Sequence, residues 1–190
     1  MGDAVASDAA LLRPVSEQVA LLRSSGVRPV LVCEAPSAAA VTVANASARA
    51  LVAALEAEGE RGLVLPTLNV LTVHTLPPAV AAAGPLPAPG VVLADGRFAL
   101  PVVNPVALVH LQALGYVPVL VPPVADLAGG WVELGACAVA AALANALEAP
   151  AVISFCGPAE QAHGRTTWLE VAPGAASDLL AALLLSRSYP

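Results

Sequence analysis

The chain has 190 residues, of which 58% are hydrophobic and 12% charged, with a net charge of −6. One domain with a real core is the default at this length, and disordered chains have the opposite composition, poor in apolar residues and rich in charge. All eight basic residues are arginines, which excludes the basic footprint of a nucleic-acid binder and leaves no lysine ammonium to neutralise a phosphate or form a Schiff base.

Aromatic residues make up 3% of the chain, so Ala, Val and Leu must build the core and stability rests on close packing rather than on large anchors. Mean hydropathy is +0.79, and residues 66–94 and 98–125 contain no Asp, Glu, Lys or Arg, long enough to span a bilayer. Both runs are dense in proline (Pro66, Pro77, Pro78, Pro85, Pro87 and Pro89; Pro101, Pro105, Pro118, Pro122 and Pro123). Proline breaks a lone helix, and buried parallel strands also read as uninterrupted apolar runs. The expectation is a soluble protein without membrane contact. The N-terminus shows neither a basic segment nor an apolar one, so no secretory signal is read. Cys33, Cys137 and Cys156 form no close pair and read as structural thiols of a cytoplasmic protein.

Residues 1–13 read as a loose start. Val15, Val19 and Leu22 recur at helical spacing, predicting a helix over 14–25 that Gly26 stops. Arg28–Val32 reads as a buried strand, residues 39–58 as a helix with Val52, Leu51 and Leu55 inward and Arg49, Glu56 and Glu58 in water, and 62–65 and 69–74 as strands. The stretch from Pro77 to Gly90 is a loop; it could serve as a linker, but the pieces either side would be small, and one domain over 1–190 is retained. Asp95-Gly96 signals a two-residue hairpin between strands 91–93 and 98–103. Asn104 caps a helix that Pro105 opens and Gly115 ends. A buried strand over 117–121, a turn at Ala128-Gly129-Gly130, a short strand over 131–134, an Ala-rich helix over 135–147 and a strand over 151–155 follow. Residues 166–171 and 175–187 read as a last strand and helix. This alternation predicts an α/β fold, a three-layer α/β/α sandwich on one mainly parallel sheet, with 28–32, 117–121 and 151–155 as neighbouring central strands.

Few residues stand out for chemistry. His74 and His110 lie in apolar sequence and read as hydrogen-bonded structural histidines. Asp126 and Glu133 flank the hairpin turn and read as solvated. Gly157-Pro158 reads as a turn. Cys137 stands at a helix N-terminus, where a thiol pKa can fall, but a small buried side chain explains it as well. A redox pair of Cys137 with Cys156, or a metal site with His163, lacks any ligand spacing, so no metal is expected. No dinucleotide-binding glycine pattern occurs.

The segment 103–155, with the run LQALGYVPVLVPPVADLAGGWVELGACAVAAALANALEAPAVISFC over 111–156, resembles acetylglutamate kinase and the kinase-like domain of N-acetylglutamate synthases, members of the amino-acid-kinase family. Those proteins carry a helix, a Gly-(Tyr/Ile)-(Leu/Ile/Val)-Pro-Val strand, a hairpin ending near Asn-(Val/Ile)-Asn-Ala-Asp, an Ala-rich helix and a further strand ending near an aspartate. Gly115-Tyr116-Val117-Pro118-Val119, the Gly129-Gly130 hairpin and AVAAALANAL fit that order. More weakly, GVRPVLV looks like the strand before the family's glycine-rich loop and VANASARALVAAL like its next long helix.

The resemblance implies a shortened amino-acid-kinase (carbamate-kinase-like) fold, and it implies that the chemistry is missing. Where the family has His-Gly-Gly-Gly, whose backbone amides approach phosphate, this chain has Glu34-Ala35-Pro36-Ser37; a Cβ obstructs that approach, proline has no N–H and Glu34 repels phosphate. The asparagines and aspartate of the second motif are matched by Glu133, Gly135 and Cys137, and the aspartate near the nucleotide by Cys156. The family's first-strand lysine has no counterpart. Phosphoryl transfer depends on positioning and charge cancellation, and losing one preorganised donor costs about 100–1000-fold. These eight positions are therefore expected to be vestiges of a cleft, with no catalytic residue and no cofactor. The expected function is a catalytically degenerate homologue with a structural, regulatory or partner-binding role, for example in arginine or lysine biosynthesis, as a homodimer or a hetero-oligomer with a related enzyme. The alternatives are an active ATP-dependent acetylglutamate-type kinase and a binder of a small-molecule ligand.

Overall fold

The computed structural model describes residues 9–33, 41–78, 90–121, 124–149, 151–154 and 167–170. In chain order these form α1 (Ala9–Ser24), β1 (Leu31–Val32), α2 (Val41–Ala57), β2 (Arg61–Pro66), a 3-10 turn (Thr67–Asn69), β3 (Leu71–Leu76), β4 (Val91–Val92), β5 (Phe98–Val103), α3 (Pro105–Ala113), β6 (Tyr116–Val121), β7 (Val124–Asp126), β8 (Trp131–Val132), α4 (Ala136–Ala146), β9 (Ala151–Ser154) and β10 (Thr167–Glu170). The chain is α/β.

The strands do not join into one mainly parallel sheet. Among the described residues they form a parallel ladder β1-β6-β2, a mixed ladder β4-β5-β3-β7-β8 and a separate parallel pair β9-β10. The predicted adjacency of 28–32 and 117–121 is present, as β1 on β6. The strand at 151–154, expected beside them, pairs with 167–170 instead.

The apolar run YVPVLV makes β6 the middle strand of the parallel ladder, where both of its faces are covered. Val117, Val119 and Val121 pack with Val15 and Val19 of α1 and with Ala48, Leu51 and Leu55 of α2. Leu120, of the opposite parity, packs with Leu108 of α3 and with Val139, Ala142 and Leu143 of α4. The two-residue period of a strand thus divides β6 between two hydrophobic clusters.

β1 is shorter than the predicted five residues, and Pro118 explains this. The Cys33 N–H donates to the Leu120 carbonyl at 2.9 Å, so the backbone polar groups of residue 120, and by the same period those of Pro118, face β1. Pro118 has no N–H to give on that side. The Gln112 side-chain amide instead donates to the carbonyls of Arg28 at 2.7 Å and Pro29 at 3.4 Å. Gln112 is buried, and it satisfies backbone that a longer ladder would have paired.

α1 starts five residues before the predicted position and contains Pro14. Leu12 extends the stripe of Val15, Val19 and Leu22 and packs on the same cluster; burial of that stripe outweighs the hydrogen bond that proline forgoes. The Asn104 cap is as read: its side chain accepts from the Val106 N–H at 3.2 Å, with Pro105 opening the helix. The β4–β5 hairpin is not the two-residue type. Leu93 and Arg97 close a three-residue loop, Ala94-Asp95-Gly96, with Leu93 N to Arg97 O at 2.8 Å and Gly96 N to Leu93 O at 2.9 Å. Gly96 takes φ +79°, the left-handed position that this loop class places third and that glycine adopts without strain.

In the mixed ladder, Leu71 and Val73 of β3, Ala99 of β5, Val124 of β7 and Val132 of β8 face the second cluster with α3 and α4. The alternate residues face away. Register sets Val102, Thr72, Ala125 and Trp131 in one row across four strands, and His74 beside Leu100 in the next. This outward face carries no Asp, Glu, Lys or Arg, and Trp131 is 62% exposed.

Candidate functional site

In open α/β sheets ligands sit beyond the carboxyl ends of the parallel strands. Here that end comprises Cys33 after β1 and Thr67 after β2. The opposite, amino end is closed by two arginines. Arg23 Nε donates to Glu60 Oε2 at 3.0 Å, and its Nη2 donates to the Gly115 carbonyl at 2.9 Å. Arg61 donates to the Leu114 carbonyl at 3.3 Å and to the Tyr116 hydroxyl, and its guanidinium lies 4.1 Å from the centre of the Tyr116 ring. These groups satisfy the last carbonyls after α3 and tie α1, β2 and β6 together. Two of the chain's arginines are therefore committed at the end where a phosphate would not lie.

Glu34, Ala35, Pro36, Ser37 and Cys156 lie outside the described residues, as do His163, Gly157-Pro158, residues 79–89 of the predicted loop over 77–90 and the predicted last helix. Glu133, Gly135 and Cys137 are described, and all three fall on the short segment leading from β8 into α4. Glu133 and Gly135 are exposed and Cys137 is half-buried. Gly135 is the N-cap of α4 and offers no side chain to the first-turn amides; its carbonyl accepts from the Val139 N–H at 3.1 Å. Between them, Leu134 is buried in the second cluster beside Val132 and Val139, which anchors the segment. Cys33 is buried beneath the carboxyl end of β1.

Three sequence readings change. His74 and His110 are exposed rather than enclosed, because His74 takes the outward parity of β3 and His110 the outer surface of α3. Asp126, expected to be solvated, is buried, with its side chain 4% exposed. Asp126 is the polar residue that sequence reasoning missed. Its carboxylate accepts from the Thr75 hydroxyl at 2.5 Å and from the Ala128 N–H at 3.0 Å. Arg97 Nη1 stands 3.9 Å away, while its Nε pairs with Asp95 at 2.7 Å. The Thr75 hydroxyl first, then the Ala128 amide, hold the Asp126 carboxyl below the usual carboxylate range, against burial, which works the other way; the Arg97 charge adds a smaller pull. No local motif announces this cluster, since it depends on the Val73–Asp126 register.

Among the described residues no group of three or more His, Cys, Asp or Glu side chains is placed to hold a metal ion, and no helix is long and apolar enough to cross a membrane. A surface depression of about 320 Å³ is lined by Arg13, Ser16, Ala54, Ala57 and Glu58 of α1 and the end of α2; none of the positions matched to the kinase family lines it. No protein-family model matches the sequence, and no curated protein matches it.

Proposed function

We propose that this chain is a catalytically degenerate relative of acetylglutamate kinase, built as a shortened three-layer amino-acid-kinase domain and serving as a structural, regulatory or partner-binding subunit. The observation that carries the reading is the path from α3 through β6, the β7–β8 hairpin and α4. It follows the element order that the resemblance implies, with Tyr116-Val117-Pro118-Val119 on the middle strand of the parallel ladder, and it arrives at α4 through Glu133, Gly135 and Cys137 in place of two asparagines and an aspartate. A kinase cleft needs cations and backbone amides aimed at phosphate. This chain offers no lysine, and it engages Arg23 and Arg61 at the other end of the strands.

The outward face of the mixed ladder, without Asp, Glu, Lys or Arg, supports the partner-binding part of the reading. An antiparallel sheet face in water is ordinarily polar, and an apolar one ordinarily has a partner. A homodimer or a hetero-assembly with an active relative is the arrangement proposed. Coupled detection of acetylglutamate-dependent ADP release tests the reading, with Glu133→Ala as the reference. The expected rate equals that of the reference and of buffer. A rate above both replaces the degenerate-subunit reading with an active acetylglutamate-type kinase. Sedimentation at high micromolar concentration, alone and with a candidate partner, tests the assembly; monomer under every condition removes it.

A further inference from the structure

β7 and β8 are thinly held by the backbone of the mixed ladder. β8 is two residues long and, among the described residues, pairs only with β7. β7 registers with β3 at only two positions, Thr72–Ala125 and Val73–Asp126, with one further backbone bond from Leu127 N to Val73 O at 2.8 Å. The backbone ladder therefore contributes little to holding the hairpin, which is also packed into the second cluster through Val124 and Val132. Added to this is the side-chain cluster on Asp126. The carboxylate ties the end of β7 to Thr75 on β3, and it folds the turn back on itself through the Ala128 amide. Arg97 reaches it from the β4–β5 loop, on the far side of β3, and is itself oriented by Asp95 through both the Arg97 Nε and the Arg97 N–H. One buried carboxylate therefore links elements on both sides of β3.

The geometry points to a charge-dependent latch: Asp126, gripped by Thr75 and approached by Arg97, fixes the β7–β8 hairpin on β3, and the hairpin opens as a unit when that carboxylate is neutralised while the parallel ladder stays closed. The hairpin carries Trp131 and delivers Glu133 and Gly135 to α4, so its opening changes both the outward face and the approach to that helix. The inference rests on the cluster alone and stands whether or not the chain is related to kinases.

The sign with pH follows from the depressed carboxyl. Its stabilisation is fully present above the ordinary aspartate pKa and is lost as pH falls through the lower, folded value. Acid alone is an imprecise probe. Asp95 is also held low by Arg97, His74 lies on the opposite face of β3, and Glu133 follows β8. β5 and β8 themselves carry no titratable side chain, and α4 carries only Cys137. Substitution at neutral pH removes the ambiguity.

Amide hydrogen exchange at pH 7 on the full chain is the test, comparing wild type with Asp126→Asn and with Thr75→Val. Asn keeps the size but puts an NH2 group where an acceptor is needed, and Val keeps the β-branch without the hydroxyl, so a folding failure of one variant leaves the other. The expected result is exchange at least about tenfold faster over 124–132 in both variants, with 61–66 and 116–121 unchanged. Arg97→Gln, removing the more distant contact, is expected to give a smaller increase over the same residues. Equal acceleration in both ladders, or none over 124–132, overturns the latch.

Discussion

β6 and β5 read alike in the sequence: YVPVLV and FALPVV are six residues each, uncharged, with one proline. They end in different surroundings. β6 lies between two parallel neighbours and under helices on either side, so every residue after Tyr116 is buried. β5 lies between β4 and β3, and its outward face of Phe98, Leu100 and Val102 is covered at the Phe98 end but not at the other, leaving Val102 46% exposed. The difference teaches that hydropathy identifies strands here but not which faces find a partner. Neighbours decide that, and the weakly neighboured part of the mixed ladder relies on polar ties such as Asp126 where the parallel ladder relies on packing.

The sharpest way to break this comparison is to hollow the shared side of β6. Leu120→Ala is expected to cost about 2–5 kcal/mol, because Leu120 is fully buried among α3 and α4 residues that cannot collapse freely. Denaturant unfolding measures it; a loss under about 1 kcal/mol would mean that β6 is not the packed centre.

The polar support of the parallel ladder comes next. Gln112→Met keeps the volume but strands the Arg28 and Pro29 carbonyls that the amide serves. An unsatisfied buried acceptor costs about 1–3 kcal/mol, and the same unfolding experiment reads it. A neutral result would remove the account of why β1 stops at two residues. Smallest is Val102→Thr on the outward face. A surface substitution that keeps the β-branch is expected within about 0.5 kcal/mol, measured at low protein concentration; a cost comparable to Leu120→Ala would show that this face is covered in the monomer.

Much of the architecture was legible because local chemistry and burial agree. The Asn104 cap followed by Pro105, the apolar run of β6 and the Ala-rich α4 each point to one structure by themselves. Other features needed long-range facts. The separate ladders depend on which strand edge meets which, and no residue of 151–154 signals that it will choose 167–170 over β6. The early start of α1 needed Leu12 to find a cluster that would hold a helix through Pro14. Glu133, Gly135 and Cys137 stand at the start of α4 because they are neighbours in sequence. Asp126 escaped notice because its burial follows from register with β3, and in sequence it is only an acid before a glycine turn.

Titration calorimetry with magnesium-ATP tests the central claim most directly. A chain of net charge −6, with no lysine and with Arg23 and Arg61 held at the amino ends of the strands, has little with which to attract a polyanion. The account predicts no measurable saturation up to about 1 mM, the weak end of ordinary affinity. Saturable binding in the micromolar range would contradict it and would mean that other residues have rebuilt a nucleotide site.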